Sequence, residues 1–160
     1  MILFINTSQT DLIQLKLIAK GKIVRELENH ENFKQAELLL KMIDKLFRES
    51  RIPRLYSGQV ANRDLTAVAV VSGPGAFSAL RLGIATVNAL AWSLKIPLIE
   101  LSADEAVSDK KLLDVLKLKT QNSKLPSTSL RTGKAKSFIP IIPKYGREPN
   151  ITESKKQKIK

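Results

Sequence analysis

Leu65 to Val71 is a near-continuous apolar run that stops at Ser72-Gly73-Pro74-Gly75 and gives way to an apolar, alanine-rich stretch from Phe77 to Leu94. A short run rich in valine and bounded by glycine and proline reads as a strand buried on both faces, with a helix following the turn. This unit demands layers on both sides of a sheet, so the chain is constrained to an α/β architecture.

The helical stretch is apolar around most of its circumference through Leu80, Leu82, Ile84, Val87, Leu90, Ala91, Trp92 and Leu94, but it carries Arg81 and Asn88. An arginine inside a marginal apolar length argues for burial between a sheet and another helix rather than a membrane span. Ala79, Gly83 and Thr86 form a small-residue strip that would let a second backbone come close.

Ahead of this unit, Ile2–Ile5 is a short apolar strand, Leu12–Ala19 alternates as a half-buried one, and Gly21-Lys22 turns into a third through Ile23, Val24 and Leu27. The spacing then predicts a helix over 33–48, capped by Asn29 or Asn32, with Ala36, Leu39, Leu40, Ile43, Leu46 and Phe47 on one stripe. Leu38 and Met42 widen that stripe, consistent either with a broad core face or with a surface that docks a partner helix. Downstream, Pro97–Leu101 reads as a strand, and Ser102 with Glu105 has the spacing of a capping box for a helix to about Leu118.

Charge divides the chain unevenly. Residues 1–109 carry 13 Lys and Arg against 12 Asp and Glu, whereas residues 110–160 carry 14 against 3, so the tail holds nearly all of the +12. The reading is a lobe over 1–118, a flexible basic linker over 119–137, a segment over 138–150 that can dock as extended chain, and a disordered basic tail over 151–160. Pro140 and Pro143 argue against a central strand in the third part. The tail can either solubilise the protein or touch RNA phosphates, although it lacks the interleaved aromatics of a specific RNA binder.

No chemistry is assigned on the residues. The chain has no cysteine and one histidine, His30, which excludes disulfides, thiolate catalysis and a histidine-rich metal site; no metal, cofactor or catalytic residue is expected. The start, MILFINTSQTDL, lacks a basic region before its short apolar run, which points to the cytoplasm rather than to a leader or anchor. The SGPG turn admits an anion at the helix start, but it is neither a Walker A nor a dinucleotide fingerprint, and a tight turn that lets strand and helix pack closely is the simpler account.

The stretch from Asp64 to Glu105 closely resembles the signature of the TsaB (YeaZ) family, whose turn and helix run GPGSFTGLRIG and lead to a strand beginning Ile-Pro. Gly73, Pro74, Gly75, Phe77, Leu80, Arg81 and Gly83 match it directly, while Ala76, Ser78 and Ala79 stand for serine, threonine and glycine. ILFINTS resembles the family's strand ending in IDTS, with Asn6 in place of aspartate, and His30 to Leu46 resembles the start of its first long helix. The residues Ile142 to Pro149 resemble its closing Pro-x-Tyr-x-Arg segment.

The resemblance implies the first lobe of an actin-like ATPase (ribonuclease H-like) fold, α/β with a mixed sheet and packed helices, and a second lobe reduced or absent. It implies a non-catalytic subunit that supports a TsaD-type tRNA threonylcarbamoyltransferase, docking through two helices of the first lobe. The interface residues so implied are Leu38, Met42, Leu80, Arg81, Ile84 and Asn88. A TsaE-type ATPase and tRNA, reached through the complex or the basic tail, are the further partners implied, and the docking face would also let the chain pair with itself. The alternatives are a nucleotide-binding enzyme of the same fold and an RNA-binding protein.

Overall fold

The computed structural model describes residues 1–32, 34–49, 65–122 and 138–146. Five strands, β1 (Ile2–Asn6), β2 (Ile13–Ala19), β3 (Lys22–Asn29), β4 (Ala67–Gly73) and β5 (Leu98–Ser102), form one sheet in the order β3-β2-β1-β4-β5. The first three make the expected antiparallel meander, and β4 and β5 add in parallel beside β1. Parallel neighbours need crossovers, and α2 (Phe77–Leu94) supplies the one between β4 and β5.

Strand alternation sends neighbouring residues to opposite layers. Leu3, Ile5, Leu15, Leu17, Val68 and Val70 meet α1 (Gln35–Glu49) and α2 on one face. Phe4, Ala69, Val71, Ile99 and Leu101 meet Leu112 and Leu116 of α3 (Asp109–Asn122) on the other. Every residue of β4 is buried, because both faces of this strand are covered. Each fully buried leucine, isoleucine or phenylalanine here contributes about 1.5–3 kcal/mol through removal of apolar surface from water.

Lys16 is a cation within this architecture, only 4% exposed. It pairs with Glu26 at 2.7 Å and with Asp109, tying the start of α3 to the sheet. Burial alone would lower its pKa, but the two carboxylates more than offset that and hold it above the usual lysine value.

Two local expectations change. Asn29 does not cap α1: its Oδ1 accepts from Glu31 N–H, closing the turn after β3, and the first helical bonds run to the Lys34 carbonyl. The Ser102/Glu105 capping box forms, but it closes a single 3₁₀ turn over Ala103–Ala106. The α-helix starts afresh at Asp109, with Ser108 accepting from Leu112 and Lys111, and it continues to Asn122, beyond the expected end near Leu118. Lys119 is thereby part of the lobe, donating to the Glu100 carbonyl at 2.7 Å and to Glu105 at 2.9 Å. The remainder of the expected linker, 123–137, the helix start at Phe33 and the basic tail over 151–160 lie outside the described residues.

Candidate functional site: a glycine turn and the outer face of its helix

The turn between β4 and α2 is built by close approach. Gly73 has φ +137, and a Cβ there would collide with the Lys144 carbonyl, so a side chain is excluded both by backbone conformation and by its neighbour. At Gly75 a Cβ would strike the Ser8 carbonyl, which accepts the Ala76 N–H at 2.7 Å. One turn into α2, Gly83 admits Thr7, whose Oγ1 donates to the Ala79 carbonyl at 2.8 Å. The spaced glycines therefore record where other parts of the chain press close, backbone at Gly73 and Gly75 and the Thr7 side chain at Gly83.

The small strip Ala79–Gly83 thus receives the loop after β1. Thr7 and Ser8, both buried, were not singled out as site residues; the signal was a polar Asn-Thr-Ser triplet at the end of an otherwise apolar strand. Asn6 orders that loop, its Oδ1 accepting from the Ser8 N–H at 3.0 Å.

Residues 138–146 dock against the same unit as extended chain outside the sheet. Lys144 N–H donates to the Ser72 carbonyl at 2.7 Å, and Asn88 exchanges two 3.0 Å hydrogen bonds with the main chain of Ile141. Tyr145 packs on Phe77 with ring centroids 4.6 Å apart, and the Arg81 guanidinium lies 4.9 Å from the same Phe77 ring. Lys144 Nζ forms an ion pair with Glu100 Oε1 at 2.7 Å. Burial would raise the Glu100 carboxyl, but the Lys144 ammonium and the nearby Ser72 hydroxyl, with Lys119 behind, hold it below the usual range.

The residues expected at a partner interface are not all at the surface. Leu80 and Ile84 are buried in the sheet-facing core, at 0% and 2% exposure, and support the outer face from beneath. Leu38 and Met42 are half-buried at the rim of that core. Arg81 is exposed, and Asn88 is taken up by Ile141. What α2 does present outward is Ser78, Arg81, Ala85, Ala89 and Trp92, spaced three, four, four and three residues apart, with Leu82 half-buried against the core beside them. That is the 3.5-residue period of a seam that packs against another helix. Beside it, Thr10, Gln35, Ala36, Ser78 and Leu82 line a cleft of about 310 Å³ between the first turns of α1 and α2. Leu40 of α1 is 52% exposed and Trp92 of α2 68%. The outward pattern on α2 was hidden in the sequence because a helix apolar all round does not show which stripe the sheet takes.

Among the described residues α2 is the one helix long and apolar enough to cross a bilayer; here Ala79, Leu80, Gly83, Ile84, Val87 and Ala91 face the protein core.

Known proteins share this unit. The family described as TsaD, tRNA N6-adenosine threonylcarbamoyltransferase, matches residues 32–131. The chain belongs to this family. The tRNA threonylcarbamoyladenosine biosynthesis protein TsaB of Bacillus subtilis (strain 168) is 37% identical over 49 residues, covering 31% of this chain and 21% of that protein. A tRNA N6-adenosine threonylcarbamoyltransferase of Streptococcus suis (strain 05ZYH33) is 49% identical over 45 residues, 28% of this chain and 13% of the relative. In three dimensions, YeaZ from Pseudomonas aeruginosa superposes with a TM-score of 0.54 at 28% identity, over 63% of this chain and 43% of YeaZ. The chain is thus TsaB/YeaZ-like within the family and carries an actin-like lobe, as the resemblance implied. It spans less than half the length of each of these relatives, and no second lobe is among the described residues.

Proposed function

We propose that this chain is a non-catalytic subunit in tRNA threonylcarbamoyladenosine modification, which binds a TsaD-type protein, in the cytoplasm, through the outer face of α1 and α2. The observation that carries the reading is the seam Ser78, Arg81, Ala85, Ala89 and Trp92, which has helix-packing spacing, carries a single charge and faces away from the sheet. A partner helix laid along it would remove Trp92 and Leu40 from water and would seat beside the 310 Å³ cleft. Leu38 and Met42 would border the contact, while Leu80 and Ile84 would stiffen it from within. A TsaE-type ATPase, and tRNA held through the complex or by the basic tail, would join by way of this primary contact. In the partner's absence the same seam would pair two copies.

The test is co-purification with the TsaD-type protein of the same organism, comparing the natural chain with Ala85→Glu plus Ala89→Glu. Both positions lie on the outer face, so the variant keeps its core, whereas a charge at Ile84 would disrupt the fold. Recovery of a complex with the natural chain and its loss with the variant supports the reading. A complex that survives both charges places the interface elsewhere, and no complex with the natural chain removes the scaffold role.

A further inference from the structure

The docked segment 138–146 has the pattern of a bound ligand. Phe138, Ile141 and Lys144 meet the body at three-residue spacing, and Tyr145 adds a ring contact at the end. Phe138 and Ile141 pack on the main core, and Lys144 bonds Ser72 and abuts Gly73 through its main chain. The intervening Ile139 and Ile142 are 75% and 72% exposed. Three residues per turn is the period of a polyproline II helix, and Pro140 and Pro143 fix the backbone near the required φ. The pair Pro140–Pro143 also has Pro-x-x-Pro spacing.

The receiving surface has the elements that recognise such a strip. A side-chain amide, Asn88, reads both the N–H and the C=O of one residue. An aromatic ring, Phe77, accepts the tyrosine, and a carboxylate, Glu100, selects a cation. These contacts are main-chain, aromatic and ionic, and the segment adds no rung to the sheet ladder.

We propose that the groove formed by Asn88, Phe77, Ser72, Gly73 and Glu100 is a peptide-recognition site for extended proline-rich segments, and that residues 138–146 are its exchangeable internal occupant. The segment opens and closes while the lobe stays folded, so the groove binds the same sequence supplied in trans when the internal copy is disabled. This inference does not depend on the partner-docking seam, which is a different face of α2.

The test uses the full chain and a fluorescent peptide of residues 138–146, read by anisotropy. In the natural chain the internal segment competes at an effective concentration on the order of millimolar. Ile141→Asp with Lys144→Glu disables it. The expected result is saturable binding by this double variant, at least tenfold tighter than by the natural chain, and weakened about tenfold or more by adding Asn88→Ala, which removes two hydrogen bonds. A folded double variant that fails to bind, or equal binding by the natural chain, overturns the proposal. Hydrogen exchange on the natural chain gives a second reading that needs no substitution. The Ile141 and Lys144 amides should exchange at least tenfold faster than those of β4; exchange of all of them at one common slow rate would make the segment an integral part of the fold and refute exchangeability.

Discussion

Replacing Gly83 by alanine should destabilise this protein even though the position is helical. In an exposed helix interior the change would stabilise by about 1 kcal/mol, because alanine loses less backbone entropy than glycine. Here the new methyl would collide with Thr7 Oγ1. Overpacking costs about 1–3 kcal/mol, and loss of the Thr7–Ala79 hydrogen bond about 1 kcal/mol more if Thr7 turns away. The net expectation is a destabilisation of about 1–3 kcal/mol, a fall of roughly 3–12 °C in Tm. Thr7→Ala alone should cost about 1 kcal/mol. In the double variant the obstructing hydroxyl is gone, and the remaining Thr7 atoms lie 3.4 Å or more from the new Cβ, so the helical gain returns. The double-mutant cycle should show a coupling of at least about 1 kcal/mol in the direction of rescue, measured by urea denaturation with unchanged m values. Additive effects, or a stabilising Gly83→Ala on its own, would refute the claim that the signature glycine serves packing against Thr7.

Lys95 ends α2 in the left-handed conformation at φ 56, so Lys95→Gly should raise stability by about 0.5–1 kcal/mol in a thermal melt. The Lys16 pairs stabilise fully below the unfolded lysine value of about 10.4 and are lost as pH rises through the elevated folded value. Lys16→Met should therefore change stability at pH 7 by no more than about 1 kcal/mol, since Glu26 and Asp109 can hydrate, while flattening the alkaline limb of the stability profile. Glu100 has the opposite sign: its contribution is present above about pH 4.3 and is lost as pH falls through its lowered folded value. Glu100→Gln should remove that part of the acid limb, visible as earlier exchange of the Lys144 amide already at pH 7.

The layers of this fold were legible because periodicity and punctuation agree. The buried valine-rich strand, the SGPG break and the helix through Leu94 stand where they were expected, as does the meander before them; of the α1 stripe, Leu39, Ile43, Leu46 and Phe47 are buried, whereas Ala36 and Leu40 turn outward. The capping box was equally readable, but its spacing alone does not say that it closes only one 3₁₀ turn before the helix restarts at Asp109, where Lys16 of the sheet pairs with the new first turn. The site was half legible. The glycines announced a close approach without naming the approaching group, because Thr7, Ser8 and Lys144 are remote in sequence from Gly83, Gly75 and Gly73.

The sequence by itself determined the alternation of strand and helix, the two-sided burial of β4 and the family's turn, all of which rest on local spacing and backbone preference. Only the tertiary structure decided which stripe of α2 the sheet would take. Leu80 and Ile84 went inward because their direction on the helix meets the sheet, leaving Ser78, Ala85 and Ala89 outside; a helix apolar on every side carries no local preference between those outcomes.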